Sequence, residues 1–172
     1  LRGNISIDSD YNIKEEKFTT VNDLNSKIKE NIRNVDIVIH TAAVSDFTIN
    51  NKHNSKIKSD KELHLELTPT TKIFEKLKNL NKKMFLVGFK AEHNVSDKKL
   101  VDSAYDILKK ANADLVVAND VGKAKRGFDV DTNEVFVVDK NKNIVHIGLS
   151  NKRIVADKVL DIIAKKFEIL RR

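Results

Sequence analysis

The chain has no cysteine, no tryptophan, one proline, one methionine, two tyrosines and five glycines in 172 residues. Without cysteine there is no disulfide framework, no thiolate metal site and no cysteine nucleophile, which is compatible with the cytoplasmic setting expected here. The shortage of tryptophan and tyrosine removes the stacking platform of a single-strand nucleic-acid binder. Five glycines without a GxGxxG turn leave no dinucleotide fingerprint and argue against a nicotinamide-dependent oxidoreductase. No apolar run reaches the roughly 18 residues that span a bilayer, and the opening LRGNISIDSD has no signal-peptide core. No internal repeat or low-complexity tract is present. What remains is a chain of formal net charge +7 and 40% hydrophobic residues, with lysines interleaved among Asp and Glu along nearly its whole length. That size supports one domain, 1–172, with a substantial core. The spread of charge favours small anions as partners over nucleic acid or membrane.

The most informative stretch is 35–58, VDIVIHTAAVSDFTINNKHNSKIK. Residues 35–40 read as a buried strand, because a β-branched run with no charge after Asp36 satisfies its backbone only inside a sheet. Thr41, Ala42, Ala43, Val44 and Ser45 are small enough for a ligand to approach the backbone at the strand's carboxyl end, where open α/β sheets bind ligands. Asp46 adds a carboxylate at the lip, 50–55 is a polar loop, and Lys56 and Lys58 alternate around Ile57 with both ammonium groups on one side. Together these describe a phosphate-handling site. The same residues also fit a core strand followed by a solvated basic loop.

Elsewhere the pattern alternates strand with helix. Leu1, Arg2 and Gly3 read as the tail of a strand that Ile5 and Ile7 continue, and 15–19 reads as a short strand. Val21, Leu24, Ile28 and Ile32 then fall at helical spacing. Strict alternation over 63–67 places Leu63, Leu65 and Leu67 inward and His64 and Glu66 outward. A helix is expected to start in Thr68-Pro69-Thr70-Thr71, with Ile73, Phe74, Leu77 and Leu80 as its apolar face. Its first-turn N–H groups, Thr70, Thr71 and Lys72 either hold an anion or simply cap it. Residues 84–89 form the next buried strand, in which Phe89 either stacks on a base or finishes the core. Ser96 caps a helix running to Ala111, and 114–118 is a further strand. Three such alternations argue for a parallel sheet with right-handed crossovers. Residues 134–139 and 143–148 flank a turn at 140–142, an antiparallel hairpin without an obvious covering helix. A last helix from Ser150 turns Ile154, Val155, Val159, Leu160, Ile163 and Phe167 inward.

Six blocks then occur in order: His-Thr-Ala-Ala-Val-Ser-Asp-Phe at 40–47, Lys-Ile-Lys at 56–58, Thr-Pro-Thr-Thr-Lys at 68–72, Val-Gly-Phe-Lys-Ala-Glu at 87–92, Val-Ala-Asn-Asp-Val at 117–121 and Gly-Phe-Asp-Val-Asp-Thr-Asn-Glu-Val at 127–135. In these the chain resembles phosphopantothenate-cysteine ligase, the ligase half of bifunctional coenzyme A biosynthesis proteins that also carry a phosphopantothenoylcysteine decarboxylase. The resemblance implies a Rossmann-like three-layer α/β sandwich, a mostly parallel sheet plus an antiparallel hairpin, assembled as a homodimer. It implies an enzyme that joins 4'-phosphopantothenate to L-cysteine through an acyl-cytidylate made from CTP with Mg2+. FMN enters only with the decarboxylase half. On the same resemblance His40, Thr41, Ala42, Asp46, Pro69, Thr70, Thr71, Lys72 and Phe89 line the nucleotide site. Lys56 is then the flap lysine that acts on the phosphates, and Asp46 is the candidate metal contact.

The chain also departs from that family. Two lysines of bacterial relatives fall at Ile107 and Ala111, and the Asp of their Pro-Asp-Ile turn is Thr70 here. The family's glycine-rich first strand–loop–helix and its Arg-x-Ile-Thr-Asn-type segment are not in this sequence, so the sheet is expected to lack its first unit. A non-catalytic nucleotide-binding dimer scaffold is the alternative.

Overall fold

The computed structural model describes residues 1–3, 12–49 and 62–171. The expectations for Ile5, Ile7 and the 50–58 stretch, Lys56 and Lys58 included, lie outside the described residues. Two compact units are present: Leu1–Ile28 with Ala42–Ile73, and Lys29–Thr41 with Phe74–Arg172. The strands are β1 (Ile37–His40), β2 (Phe47–Ile49), β3 (Leu67–Pro69), β4 (Phe85–Glu92), β5 (Leu115–Asp120), β6 (Thr132–Asp139) and β7 (Ile144–Asn151). The helices are α1 (Val21–Asn31), α2 (Ile73–Leu80), α3 (Asp97–Ala111) and α4 (Lys152–Arg171).

The second unit holds one five-stranded sheet in the order β1-β4-β5-β6-β7. The first three strands run parallel, β6 returns antiparallel to β5, and β7 runs antiparallel to β6. β4 and β5 form its centre because their uncharged runs, Phe85 to Gly88 and Leu115 to Ala118, are buried on both faces. Alternation then sorts the side chains. Phe85, Val87, Leu115, Val117, Val135, Val137 and Ile147 pack with Val155, Val159 and Ile163 of α4. Leu86, Val116 and Val138 are buried on the opposite face, the side of α3, whose Leu100, Ala104, Leu108 and Ala111 are buried. α3 is bounded as its sequence suggests: Ser96 accepts a hydrogen bond from Lys99 N, and Asn112 ends the helix in the left-handed conformation.

Three expectations change here. β1 is half-buried rather than buried, with Ile39 39% exposed, because among the described residues it pairs on one side only. The hairpin of β6 and β7 does have a covering helix, since α4 packs under it. On α4 the sheet selects the stripe Val155, Val159, Ile163, so Ile154 and Leu160 are exposed instead of inward.

At the amino end of β5, Asp114 accepts hydrogen bonds from Leu86 N and Lys78 Nζ, each at 2.7 Å, and pairs with Lys140 Nζ at 2.7 Å. Lys78 is itself buried and also donates to the Met84 carbonyl at 2.5 Å. Burial pushes the Asp114 carboxyl upward, but Lys140, Lys78 and the Leu86 N–H together hold it below its ordinary value. Asp139, in register with Leu115, is fixed by Lys166 at 2.5 Å and by the backbone N–H groups of Asn141 and Asn143.

In the first unit α1 opens on a reciprocal cap, with Asp23 N donating to Thr20 Oγ1 and Thr19 N to Asp23 Oδ2, both at 3.1 Å. The 15–19 strand reduces to a parallel bridge between Arg2 and Lys17. β2 and β3 form a two-stranded antiparallel ladder. Leu63, Leu65 and Leu67 are exposed, against the alternation, because the ladder holds only Leu67 and no buried face forms over these residues. α2 starts after Lys72, and Leu80 is exposed.

Asp114→Ala leaves Lys78 buried without its carboxylate and is expected to lower unfolding free energy by about 3–5 kcal/mol, measured by urea denaturation. Because the folded pKa of Asp114 is depressed, its stabilisation is present above the ordinary value of 3.8 and is lost as pH falls through the folded value. The variant is therefore expected to differ most from the parent near neutral pH and least in strong acid.

Candidate functional site

Ala42, Asp46, Pro69, Thr70, Thr71 and Lys72 belong to the first unit, and His40, Thr41 and Phe89 to the second. In the first unit Thr70 does not cap α2. Its N–H donates to the Asp46 carbonyl at 2.9 Å and its hydroxyl to the Ser45 carbonyl at 2.5 Å. These bonds tie the small-residue turn to the end of β3, where Pro69 faces Phe47 in register. The Lys72 ammonium lies against the Asp46 carboxylate, both largely in solvent. Thr71 is exposed. No group of three or more His, Cys, Asp or Glu side chains placed to hold a metal occurs among the described residues. Asp46 offers one carboxylate already facing an ammonium. That donor set suits Mg2+ only as an ion delivered on nucleotide phosphates, which commonly needs just one or two protein carboxylates.

In the second unit the carboxyl ends of β1 and β4 lie side by side, with His40 paired in register with Gly88. Phe74 covers this pair: its ring centroid is 5.8 Å from that of His40, and a Cβ at Gly88 would stand 2.2 Å from Phe74 Cζ. Only glycine admits the ring there. His40 Nε2 is buried with no hydrogen-bond partner, and burial pulls the imidazole pKa below its ordinary value, keeping the ring neutral.

Thr41 and Phe89 point to the other face of the sheet. They line a pocket of about 270 Å³ between the strand ends and the first half of α4. Its floor is aliphatic, Ile39, Val155, Val159 and Ile163 among others, and its polar groups come from Thr41, Asn133 and Lys152. Phe89 is 42% exposed at its wall. His40 and Phe89, assigned together from the resemblance, are thus separated by the thickness of the sheet. Asn133 and Lys152 were not legible as site residues, because the antiparallel hairpin and α4 bring them to the strand ends from far along the chain. Asn119, in the Val-Ala-Asn-Asp block, donates to Asn133 Oδ1 at 3.4 Å.

Asp120 organises the same rim. Its buried carboxylate accepts from Asn94 N at 2.8 Å, Val95 N at 2.9 Å and Gly122 N at 2.9 Å. Burial pushes Asp120 up, and these three N–H groups hold its pKa below the ordinary value. A Cβ at Gly122 would come 2.6 Å from Asn94 N, so glycine is required for the approach. Ile107 and Ala111 sit in the half of α3 that leads to the amino end of β5, away from these strand ends.

A mixed, mostly parallel α/β sheet whose strand ends open on a mostly apolar pocket places the chain in the class of Rossmann-type ligand-binding folds. Within it, the chain belongs to the family described as the DNA/pantothenate metabolism flavoprotein C-terminal domain, whose model matches residues 1–167. It is 31% identical over 161 residues to the coenzyme A biosynthesis bifunctional protein CoaBC of Methanocaldococcus jannaschii, covering 94% of this chain and 39% of that protein. It is 41% identical over 132 residues to CoaBC of Thermococcus kodakarensis, covering 76% of this chain and 31% of that protein. The crystal structure of the DNA/pantothenate metabolism flavoprotein from Streptococcus pneumoniae matches with a TM-score of 0.74 and 29% identity, over 87% of this chain and 72% of that one. The chain therefore spans about two fifths or less of these curated relatives. Among the described residues no helix is long and apolar enough to cross a membrane.

Because burial depresses the folded pKa of His40, protonation of the ring opposes folding: the penalty is absent above the ordinary value of 6.5 and grows as pH falls through the folded value. Urea midpoints taken near neutral pH and at about pH 5 are expected to fall together with pH in the parent chain. In His40→Leu that fall should be smaller, and an identical fall in both would remove His40 as its source.

Proposed function

We propose that this chain is the ligase unit that joins 4'-phosphopantothenate to L-cysteine in coenzyme A biosynthesis, with CTP as the activating nucleotide. The observation that carries the reading is the family match along residues 1–167. Its placement is supported by Thr41 and Phe89, both assigned to the nucleotide by resemblance, lining one pocket. In this reading a carboxylate oxygen of 4'-phosphopantothenate attacks the α-phosphorus of CTP. The bond from that phosphorus to pyrophosphate breaks, leaving an acyl-cytidylate. The cysteine amine then attacks the acyl carbon, its proton is lost, and CMP leaves with the bonding pair.

The first step brings two anions together, so positioned positive charge is the main means of lowering its barrier. Lys56, the lysine that the resemblance assigns to the phosphates, supplies such charge. The resemblance also assigns Lys72, whose ammonium lies against the Asp46 carboxylate, to the nucleotide. Asp46 would be the protein oxygen for a Mg2+ delivered on the triphosphate, which would supply further charge neutralisation. FMN is assigned to a separate decarboxylase domain of a bifunctional protein, not to these residues.

The sheet edge supports a dimeric assembly. β7 is its last strand among the described residues and leaves Ile144, Val145 and Leu149 exposed. Such an edge is normally covered, and a two-fold dimer through the hairpin covers it.

Calorimetry with Mg2+ is expected to show tighter binding of CTP than of ATP, and equal or reversed affinities would remove the cytidylate assignment. Lys56→Gln is expected to slow acyl-cytidylate formation in single turnovers by about 10²–10³ without altering the circular dichroism spectrum; full activity would move the role to another lysine. Nucleotide binding with no product in any assay would instead support the scaffold alternative. Sedimentation should give a dimer, and a monomer at every concentration contradicts the hairpin interface.

A further inference from the structure

We infer that Lys152 is the cation that holds the phosphates of the nucleotide in the second unit's pocket, with Phe89 and the aliphatic floor taking its base and ribose. This rests on the reading of that pocket as a nucleotide site. Position singles the lysine out. Lys90 is neutralised by Glu92 at 3.1 Å, Lys123 by Asp97 at 2.8 Å, Lys140 by Asp114 at 2.7 Å and Lys142 by Asp102 at 2.8 Å, while Lys158 and Lys165 of α4 make no ion pair among the described residues but lie outside the pocket lining. Lys152 donates its backbone N–H to the Asp131 carbonyl at 2.8 Å, while its ammonium has no hydrogen bond or ion pair among the described residues. Within the pocket lining it is the one charged group, and no carboxylate is present. An anion entering there meets attraction without repulsion.

The helix adds to the same sign. α4 has no acidic residue in its first turn, and Asn151 caps it by accepting from Arg153 N at 2.9 Å. Lys152 also lies on the stripe of α4 that faces the pocket, one turn before Val155 and Ala156 and two before Val159. Its flexible stem therefore reaches over the pocket mouth while the residues behind it form the floor. At about 270 Å³ the pocket is small for a ligand site, enough for a base with its ribose, which leaves the phosphates at the mouth. Asn133 completes the division of labour. Its Oδ1 already accepts from Glu134 N at 3.0 Å and Asn119 Nδ2 at 3.4 Å, so its amide nitrogen is the donor left for a base carbonyl.

The test is calorimetry of the chain with CTP, cytidine and 4'-phosphopantothenate, repeated at several salt concentrations, for the parent, Lys152→Met, Lys152→Arg and Ala156→Trp. Lys152→Met should weaken CTP about 10- to 100-fold, as expected for loss of a charge-assisted phosphate contact, and leave cytidine unchanged. It should also lower the salt dependence of CTP binding by about one charge. Lys152→Arg should restore most of the affinity, and Ala156→Trp should weaken CTP and cytidine alike by filling the pocket. Unchanged CTP affinity in Lys152→Met overturns the assignment, as does an equal loss for cytidine or a loss confined to 4'-phosphopantothenate. Absence of CTP binding by the parent chain overturns the nucleotide reading and Lys152's role together.

Discussion

β4 and β5 are buried on both faces, and the second unit follows from that demand. A strand with apolar side chains above and below needs a layer on each side, which α4 and α3 provide from opposite faces. It also has no room for charge along its length. The charged residues of the two strands are accordingly Lys90 and Glu92 at the end of β4 and Asp120 at the end of β5, while Asp114 precedes β5. Along these two strands polar chemistry is confined to the ends.

The two rims differ in kind. At the amino rim, opposite charges meet in bonds that leave little unpaired: Asp114 with Lys78 and Lys140, Asp139 with Lys166. At the carboxyl rim the groups are held ready instead. His40 is a neutral ring with an idle Nε2, Phe89 is half in solvent, and Lys152 carries an unmatched charge. Of these only the His40 Nε2 is buried without a partner, which costs stability; Phe89 and Lys152 keep contact with solvent.

What could be read in the sequence was whatever a local pattern decides. The continuous apolar runs of β4 and β5 announce two-sided burial, and Ser96 with the 3.6-residue spacing to Ala111 announces α3. What could not be read was whatever depends on the presence of another layer. Leu63, Leu65 and Leu67 alternate as a buried strand would, but alternation says nothing about whether a layer covers the apolar side. Ile154 and Leu160 are as apolar as Val155 and Val159, and the sheet alone decides which pair is covered. Thr70 has the residue type of a cap, yet Ser45 and Asp46 draw it into a tie between segments distant in sequence. The site divides in the same way: His40, Thr41 and Phe89 stand at strand ends that periodicity locates, whereas Asn133 and Lys152 arrive there through the return path of the hairpin.

Asp120 gives the carboxyl rim a mechanical property. One carboxylate grips the loop after β4, through Asn94 and Val95, and the loop after β5, through Gly122. Gly122 lets the two loops approach, because a Cβ there would stand 2.6 Å from Asn94 N. Neither loop can swing away alone without giving up donors on a buried anion. The two therefore behave as one rigid lip, so a ligand arriving at this edge is met by a fixed wall on the β4–β5 side, and whatever adjusts to its shape has to do so elsewhere.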